Sequence, residues 1–469
     1  MATAGWPLRR ETFYFSHRQH GPHYLPFDAT ELIQDLLPGP LTEDEDDWLC
    51  GRGHHMGGAW RQAIQGSVRV EALPRGSWFF DREPAFSITG PSSLVSWLEP
   101  LVVQLNYRIQ LASLAKLDPE ALPEAVAVVS CEAQAEIVRE TLDAVGVAAP
   151  PIRVDSEGYV AGVQHRLQAL IDIVGDPARI FEVGLRTATC TEQHHLVLDA
   201  CHTAGIRATS HAHGARSRHL ELTGCMGHEH VQRFRSDPAA FRALKERQPG
   251  SATFLLDTFS TLDSGIPAAF ELMAEHPERI DGIRYDSGDK EGQYLYAAVR
   301  ARSLGIQPIH VLEDGMDPEQ TRRFETLRTF TEVPATNQHY GYGGYIVNPP
   351  ENPLSRARVG AVYKLSQSGA EPTMKWGDAG GKGKESIPGR PVLWRTYHSD
   401  GSWGGLVSQP DEQVPGEATR LTGAPTPPRR VRFTVNEARR FNDRRNRPQL
   451  SPQTQAMADA LYALRRDQT

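Results

Sequence analysis

From about residue 178 the chain alternates short apolar runs with amphipathic segments, and this alternation constrains the fold more than any other feature. IFEVGLR, TFLLDT, GIRYDSGD, PIHVLED and YGYGGYIV read as strands, while IPAAFELMAEHPER and EGQYLYAAVRARSLG between them carry apolar residues at helical spacing. Parallel strands need crossover connections, and amphipathic helices supply them, so the pattern predicts βαβ units and a parallel sheet that can close into a barrel. In such folds the chemistry gathers at the carboxyl ends of the strands. Here those ends carry Arg186, Asp257, the run Asp286 to Asp289, Glu313 to Gly315, and the pair Gly343 and Gly344.

Outside this region the texture differs. Residues 11 to 90 mix strand-like runs (FYF, SVRVEAL, AFSITG) with Pro, Gly and acidic clusters, as in part of a small α/β unit. GPSSLVSWLEPLVVQLNYRIQLAS has helical spacing, which Pro100 must kink or divide, and AVAVVSCEAQAEIVRETLDAVG reads as a helix closing at a glycine. After Leu365 come Gly- and Lys-rich loops, two β-like runs (PVLWRTY and RVRFTV), and a final helix over SPQTQAMADALYALRRDQT capped by Ser451. The expected division is 1–150 for the first part of an α/β sandwich domain with helices, and 151–358 for the α/β barrel. Residues 359–440 return to the sandwich, and 441–469 form a docking helix.

Composition sets the class of partner. A chain of 469 residues exceeds what one hydrophobic core organises, so more than one structural unit is expected. The net charge of -8 combines 50 basic and 58 acidic residues without long runs of one sign, so no footprint for nucleic acid or anionic lipid is present. Small substrates are expected instead. Five cysteines without a CxxC pair suggest neither a disulfide framework nor a thiolate zinc site. No apolar run has the length of a membrane span and MATAGWPLRR has no apolar leader core, so a cytoplasmic location is expected.

Eight of the 18 histidines lie between His194 and His230, more than composition alone predicts. Two chemistries compete for them. His211 and His213 form an HxH pair that a strand would aim to one side, and with Asp286 they resemble the ligands of a barrel metallohydrolase. Alternatively, TGCMGHEHVQRF places His228 after a small-residue turn at a helix start, where an imidazole can accept a phosphoryl group or bind one. IRYDSGD adds Arg284, able to clamp a carboxylate, with Asp286, Ser287 and Asp289, able to hold Mg²⁺ or ribose hydroxyls. Gly341, Gly343 and Gly344 let backbone amides crowd around a phosphate.

In order, FEVGLR, GCMGH, LLDT, RYDSGD, EDG and the glycine pair resemble the motifs of the nicotinate/nicotinamide phosphoribosyltransferase family. GPSSLVSWLEPLVVQLNYRIQ, VYKLS and the K-x(n)-S-I-P-G stretch ending KESIPG extend the resemblance over roughly residues 11 to 400. The resemblance implies an irregular α/β barrel of the type II phosphoribosyltransferase kind beside a smaller α/β sandwich domain, working as a homodimer. It implies transfer of phosphoribose from phosphoribosyl pyrophosphate to a small pyridine acid with Mg²⁺, coupled to ATP through a phosphohistidine. By that resemblance His228 is the phosphohistidine, Arg186 lies near the pyridine, Arg284 and Asp286 belong to the RxDSG run, and Asp314 holds ribose. Gly343 and Gly344 form the 5-phosphate nest, and Asp257, Ser287, Asp289 and Gly315 complete the substrate site.

The chain departs from the family pattern in four places. Cys225 stands where threonine is usual, Gly227 where alanine is usual, and Glu313 opens the GDG-like turn. The family's opening D-x-Y-x-x-T-M segment, whose aromatic stacks on the pyridine, is not found, so the ring clamp is either missing or supplied otherwise, with Trp6 and Phe13 as the candidates. Transfer to another aromatic acid and metal-dependent hydrolysis through the His211/His213 cluster are the other functions these residues allow, with a silent ligand-binding relative as the non-enzyme case.

Overall fold

The computed structural model describes residues 6–248, 250–376, 385–397, 403–414, 417–443 and 448–468. The glycine- and lysine-rich run 377–384, including Lys384 of KESIPG, lies outside the described residues. The chain divides into two compact units: Met1–Asp155 with Pro350–Met374 and Ile387–Ala460, and Ser156–Pro349 with Lys375–Ser386 and Leu461–Thr469. The segment Lys375–Ser386 joins the second unit although the surrounding chain belongs to the first, which no sequence signal marked.

The second unit is built on a seven-stranded sheet in which every pairing is parallel. Across the sheet run Glu221–Leu222, Ala208–Thr209, Ile180–Glu182, Gln338–Tyr342, Ile309–Leu312, Gly282–Tyr285 and Thr253–Leu255. The sheet curls into a half-barrel, and among the described residues its two edge strands do not pair with each other. Helices including Thr191–Thr203, Ile266–Glu275, Lys290–Leu304 and Pro318–Thr331 make the crossovers. The strands are short and buried on both faces, as parallel sheets covered by helices require. Aromatic residues Tyr285, Tyr294, Tyr340 and Tyr342 are fully buried, and the Tyr285 hydroxyl lies 2.9 Å from His310 Nδ1. Strand ends also approach closely. A Cβ on Gly184 would lie 2.3 Å from Val347 Cγ2, and one on Gly343 would lie 3.2 Å from the Val183 carbonyl, so side chains are excluded where these strands end.

The first unit carries a five-stranded antiparallel sheet in which Arg10–Ser16 lies between Val362–Ser368 and Phe86–Pro91. A four-stranded sheet is centred on Val392–Tyr397 and Trp403–Ser408. Pro100 divides the predicted long helix into Ser92–Trp97, Glu99–Gln104 and Asn106–Leu117, sitting in the first turn of the second piece, where its missing N–H costs nothing.

Three local expectations are corrected. The helix expected from AVAVV starts only at Glu132, because Val128–Val129 pairs in parallel with Arg153–Val154. RVRFTV is not a strand: Arg429–Val431 is a 3-10 turn, and Thr434 starts the helix Val435–Asp443, exchanging a capping box with Glu437. His211 is not on a strand but caps the helix Ala212–Arg218, with His213 inside it. The resemblance also offered Phe13 as the replacement ring, yet Phe13 is buried and stacks on Tyr363 at 4.9 Å, so packing in the first unit's sheet consumes it.

A buried ion pair ties the strand Val392–Tyr397 to the loop that precedes Phe86–Pro91. Arg395 donates to both oxygens of Glu83 at 2.5 and 2.7 Å, and both side chains are fully buried. Removing one partner leaves an uncompensated charge, so Arg395→Leu is expected to lower unfolding free energy by about 3–5 kcal/mol. Urea unfolding monitored by circular dichroism checks this, with the exposed pair Arg242–Glu275 as a control in which Arg242→Ala produces no resolvable change.

Candidate active site

The parallel sheet brings residues far apart in sequence to one end. Arg186 follows Ile180–Glu182, Asp257 and Thr258 follow Thr253–Leu255, and Asp286 and Ser287 follow Gly282–Tyr285. Glu313 and Asp314 follow Ile309–Leu312, and Gly343 follows Gln338–Tyr342. All of these positions are carboxyl ends of strands running in one direction, so they share one rim.

At this rim His228, the first residue of the helix His228–Phe234, meets two carboxylates. Its Nε2 lies 3.3 Å from Asp286 Oδ2 and 3.6 Å from Asp257 Oδ1, and its Nδ1 lies 3.1 Å from Thr258 Oγ1. Among the described residues, these three side chains are the group whose ligand-type atoms already lie within 4.8 Å of one another. A fourth group enters from the segment Lys375–Ser386. Lys375 Nζ is 2.6 Å from His228 Nε2, 3.5 Å from Asp286 Oδ2 and 3.8 Å from Asp257 Oδ2.

The shortest of these contacts comes from a charged donor, and an ammonium has no acceptor capacity, so Nε2 takes the Lys375 proton on its lone pair. Nδ1–H then donates to Thr258. Burial and the Lys375 ammonium depress the pKa of His228, outweighing the two carboxylates, so the imidazole is neutral at neutral pH. For Asp286 burial acts upward, but Arg284, Lys375 and His228 together hold the carboxyl well below its ordinary range.

Arg284 and Asp286 are two residues apart at a strand end and face the same side. Arg284 Nη2 donates to Asp286 Oδ1 at 2.6 Å, Nη1 donates to Cys225 Sγ at 2.9 Å, and Nε lies 3.1 Å from Glu313 Oε2. The guanidinium is thus committed on three sides. Burial pushes the Cys225 thiol up to about 11 despite Arg284, so the sulfur is a neutral acceptor. Burial also raises Glu313, against the pull of Arg284 and Arg186.

The remaining sequence candidates have local tasks. Ser287 Oγ donates to Asp257 Oδ2, while Asp257 Oδ1 is buried without a hydrogen-bond partner. Asp289 caps the helix Lys290–Leu304 by accepting from Gly292 N at 3.1 Å, the ordinary turn-and-cap role, and the described contacts do not bring it into the His228 cluster. Asp314 and Gly315 both have positive φ, 57° and 67°, and Lys290 Nζ donates to the carbonyls of Glu313 (2.9 Å) and Asp314. Sequence reasoning did not single out Lys375, Thr258 or Lys290. The only signal for Lys375 was a lysine between Met374 and Trp376, apolar neighbours that announce burial. The metallohydrolase grouping of His211 and His213 with Asp286 is not formed: the Asp286 partners are His228, Arg284 and Lys375.

No family model matches the chain. Curated relatives do. It is 28% identical over 257 residues to the nicotinate phosphoribosyltransferase of Bacillus subtilis, covering 52% of this chain and 48% of that protein. It is 26% identical over 357 residues to the human nicotinate phosphoribosyltransferase, covering 71% and 61%. The chain is similar to nicotinate phosphoribosyltransferases. It spans about half the length of the Bacillus protein and about three fifths of the human one. Two solved structures titled nicotinate phosphoribosyltransferase have the same fold. The enzyme from Porphyromonas gingivalis superposes with a TM-score of 0.55 at 17% identity, over 82% of this chain and 91% of that one. The Vibrio cholerae structure gives 0.53 at 17%, over 80% and 84%.

Electrostatics at His228 can be tested without turnover. Lys375→Met removes one of the two depressing influences and leaves the carboxylates, so the His228 titration midpoint is expected to rise. Histidine-resolved NMR titration reads it, and an unchanged midpoint would contradict the assigned contact.

Proposed function

We propose that this protein joins nicotinate, or a related pyridine acid, to phosphoribosyl pyrophosphate, giving the mononucleotide and pyrophosphate in NAD salvage. The observation that carries the proposal is the buried cluster of His228, Asp257, Asp286 and Lys375 at the strand ends, in a chain related to nicotinate phosphoribosyltransferases. In the reaction the bond from ribose C1 to the pyrophosphate oxygen breaks and a bond from C1 to the pyridine nitrogen forms. Positive charge builds on the sugar and negative charge on the leaving group, so a site for it needs fixed charges of both signs.

The residues supply both. Asp257, with one oxygen uncapped, and Asp314 face the sugar as acceptors for its hydroxyls and as negative charge near C1. Arg284 is fixed by Cys225, Asp286 and Glu313 and therefore acts as a structural cation, and Arg186 is assigned the pyridine carboxylate. Gly343 and Gly344 take the 5-phosphate on backbone amides. Two carboxylates converging with an unsatisfied oxygen suit a hard divalent ion, and Asp257 with Asp286 would hold Mg²⁺, which neutralises pyrophosphate oxygens when bound. Lys375 stands among the same atoms and would have to move aside for such an ion.

Coupling to ATP is part of the same proposal. The His228 Nε2 lone pair forms an N–P bond with the γ-phosphorus as the bond to the β,γ-bridging oxygen breaks and ADP leaves. The Nδ1–H to Thr258 hydrogen bond fixes the tautomer that this requires. A homodimer in the cytoplasm is likewise proposed. No described helix is long and apolar enough to cross a membrane.

Pyrophosphate release should be measured across pyridine acids and amides, with and without ATP. Nicotinate-dependent release stimulated by ATP is expected, with acid-labile label from γ-labelled ATP on His228. His228→Ala should lose the label and the stimulation while retaining slow transfer. Asp286→Asn should lower kcat/KM by about 10²-fold or more, the size typical of losing a preorganised charge. Absence of pyrophosphate release with every base would overturn the assignment. A narrower expectation concerns the 313–315 turn: Lys290→Met should raise KM for phosphoribosyl pyrophosphate several-fold with kcat little changed, because it loosens the left-handed turn that presents Asp314.

A further inference from the structure

The proposed reaction uses one histidine of the eight between His194 and His230. Four others, His194, His195, His211 and His213, gather around the helix Thr191–Thr203 and the turn after Ala208–Thr209, and nothing in phosphoribosyl transfer calls for them.

A fixed chain of contacts orients two of these rings. Glu182, fully buried, accepts from Thr209 Oγ1 at 2.6 Å and from the backbone N–H of Gly184, and its Oε1 lies 2.8 Å from His194 Nε2. Burial acts upward on this carboxyl, but His194, Thr209 and Gly184 hold it below its ordinary range, so it accepts throughout. His194 Nδ1 in turn lies 3.1 Å from His211 Nδ1. His194 Nε2 therefore donates to Glu182, and His211 meets His194 through Nδ1. The second nitrogen of His211, Nε2, stands on the side of the ring away from His194.

His195 and His213 complete a triangle with this ring. The ring centres stand 5.7 Å apart for His195 and His211, 5.8 Å for His195 and His213, and 6.1 Å for His211 and His213. Three imidazoles sharing one tetrahedral ion, with metal–nitrogen bonds of about 2 Å, place their ring centres roughly 5 Å apart. The three rings stand somewhat farther apart than this, so binding an ion requires them to draw together. The extended backbone of His211 (φ −90°, ψ 99°) is what lets it converge with His213, two positions on, in spite of the helix that follows.

We propose that His195, His211 and His213 form a binding site for a divalent first-row transition ion of the zinc type. A second observation points to the same ligand: His195 Nε2 is buried without a hydrogen-bond partner. Burial, before any other influence, depresses both His195 and His211, the latter to about 3, so they present lone pairs rather than protons at neutral pH. Arg218, whose charge bears on His195, is paired with Asp199 at 2.7 Å. His213 is exposed and opens the triangle to solvent. Glu182, acting through His194, orients His211 as the outer carboxylates of metal-binding histidines do. An all-imidazole set selects zinc, cobalt or nickel over magnesium. The ion ties the helix Thr191–Thr203 to the turn at 211–213, and this role is independent of the transferase assignment.

The test is titration of the metal-stripped full-length chain with Zn²⁺ by calorimetry and with Co²⁺ by visible absorption. One ion per chain and an intense tetrahedral cobalt spectrum are expected. His211→Ala, His195→Ala and the surface substitution His213→Ala should each weaken binding at least tenfold, and Glu182→Gln should weaken it about tenfold. His228→Ala and Asp286→Asn should leave it unchanged. Because His213 is exposed, its variant separates loss of a ligand from loss of the fold, with circular dichroism as the check. No saturable binding, binding that survives His195→Ala and His213→Ala, or binding abolished by the His228 or Asp286 variants would each overturn the site.

Discussion

The balance of buried charge around Asp286 is the constraint on which the rest of the candidate site depends. A carboxylate out of water is costly unless cations and hydrogen bonds replace the solvent. Here Arg284 supplies one cation from the adjacent strand position, and Lys375 supplies the other from a segment that crosses into the second unit. His228 is caught between the opposing influences, and the ammonium and burial together keep it neutral. A neutral imidazole and an ionised carboxylate therefore stand side by side.

The parallel sheet explains why this balance is held accurately. Asp257, Thr258, Asp286 and Ser287 sit one to three positions past strands whose register is fixed by their neighbours, so they face His228 and Lys375 from defined positions on the sheet. Glycines at 184 and 343 let two strand ends approach where side chains would collide. Lys290, from the following crossover helix, clamps the backbone carbonyls of the 313–315 turn, so even the left-handed Asp314 is supported by a defined contact.

The departures from the family pattern also have physical correlates. Cys225, in place of threonine, presents a neutral sulfur to Arg284, and Glu313 presents a carboxylate to the same guanidinium. Together with Asp286 they surround Arg284 with polar partners. The histidine excess divides in the same way. His228 joins the carboxylates at one part of the rim, while His194, His195, His211 and His213 assemble around Glu182 at another.

The sequence by itself determined the barrel-like half of the fold and the positions of most polar rim residues, because strand period, helix spacing and turn residues are local properties of the chain. It marked His228, Arg284, Asp286 and Asp257 through short motifs tied to strand ends. It left open which histidines share a site, because His194 and His211 are 17 residues apart and their Nδ1 atoms meet only once the helix is packed on the sheet. For Lys375, 147 residues from His228, it offered only the apolar neighbours Met374 and Trp376, since a buried lysine's partners are not set by its place in the chain. It misplaced RVRFTV and the HxH pair, where a capping box and a helix start overrode alternation. Local periodicity specified where the chemistry would stand; only tertiary packing decided which charges face one another, because electrostatic pairing depends on distance in space rather than along the chain.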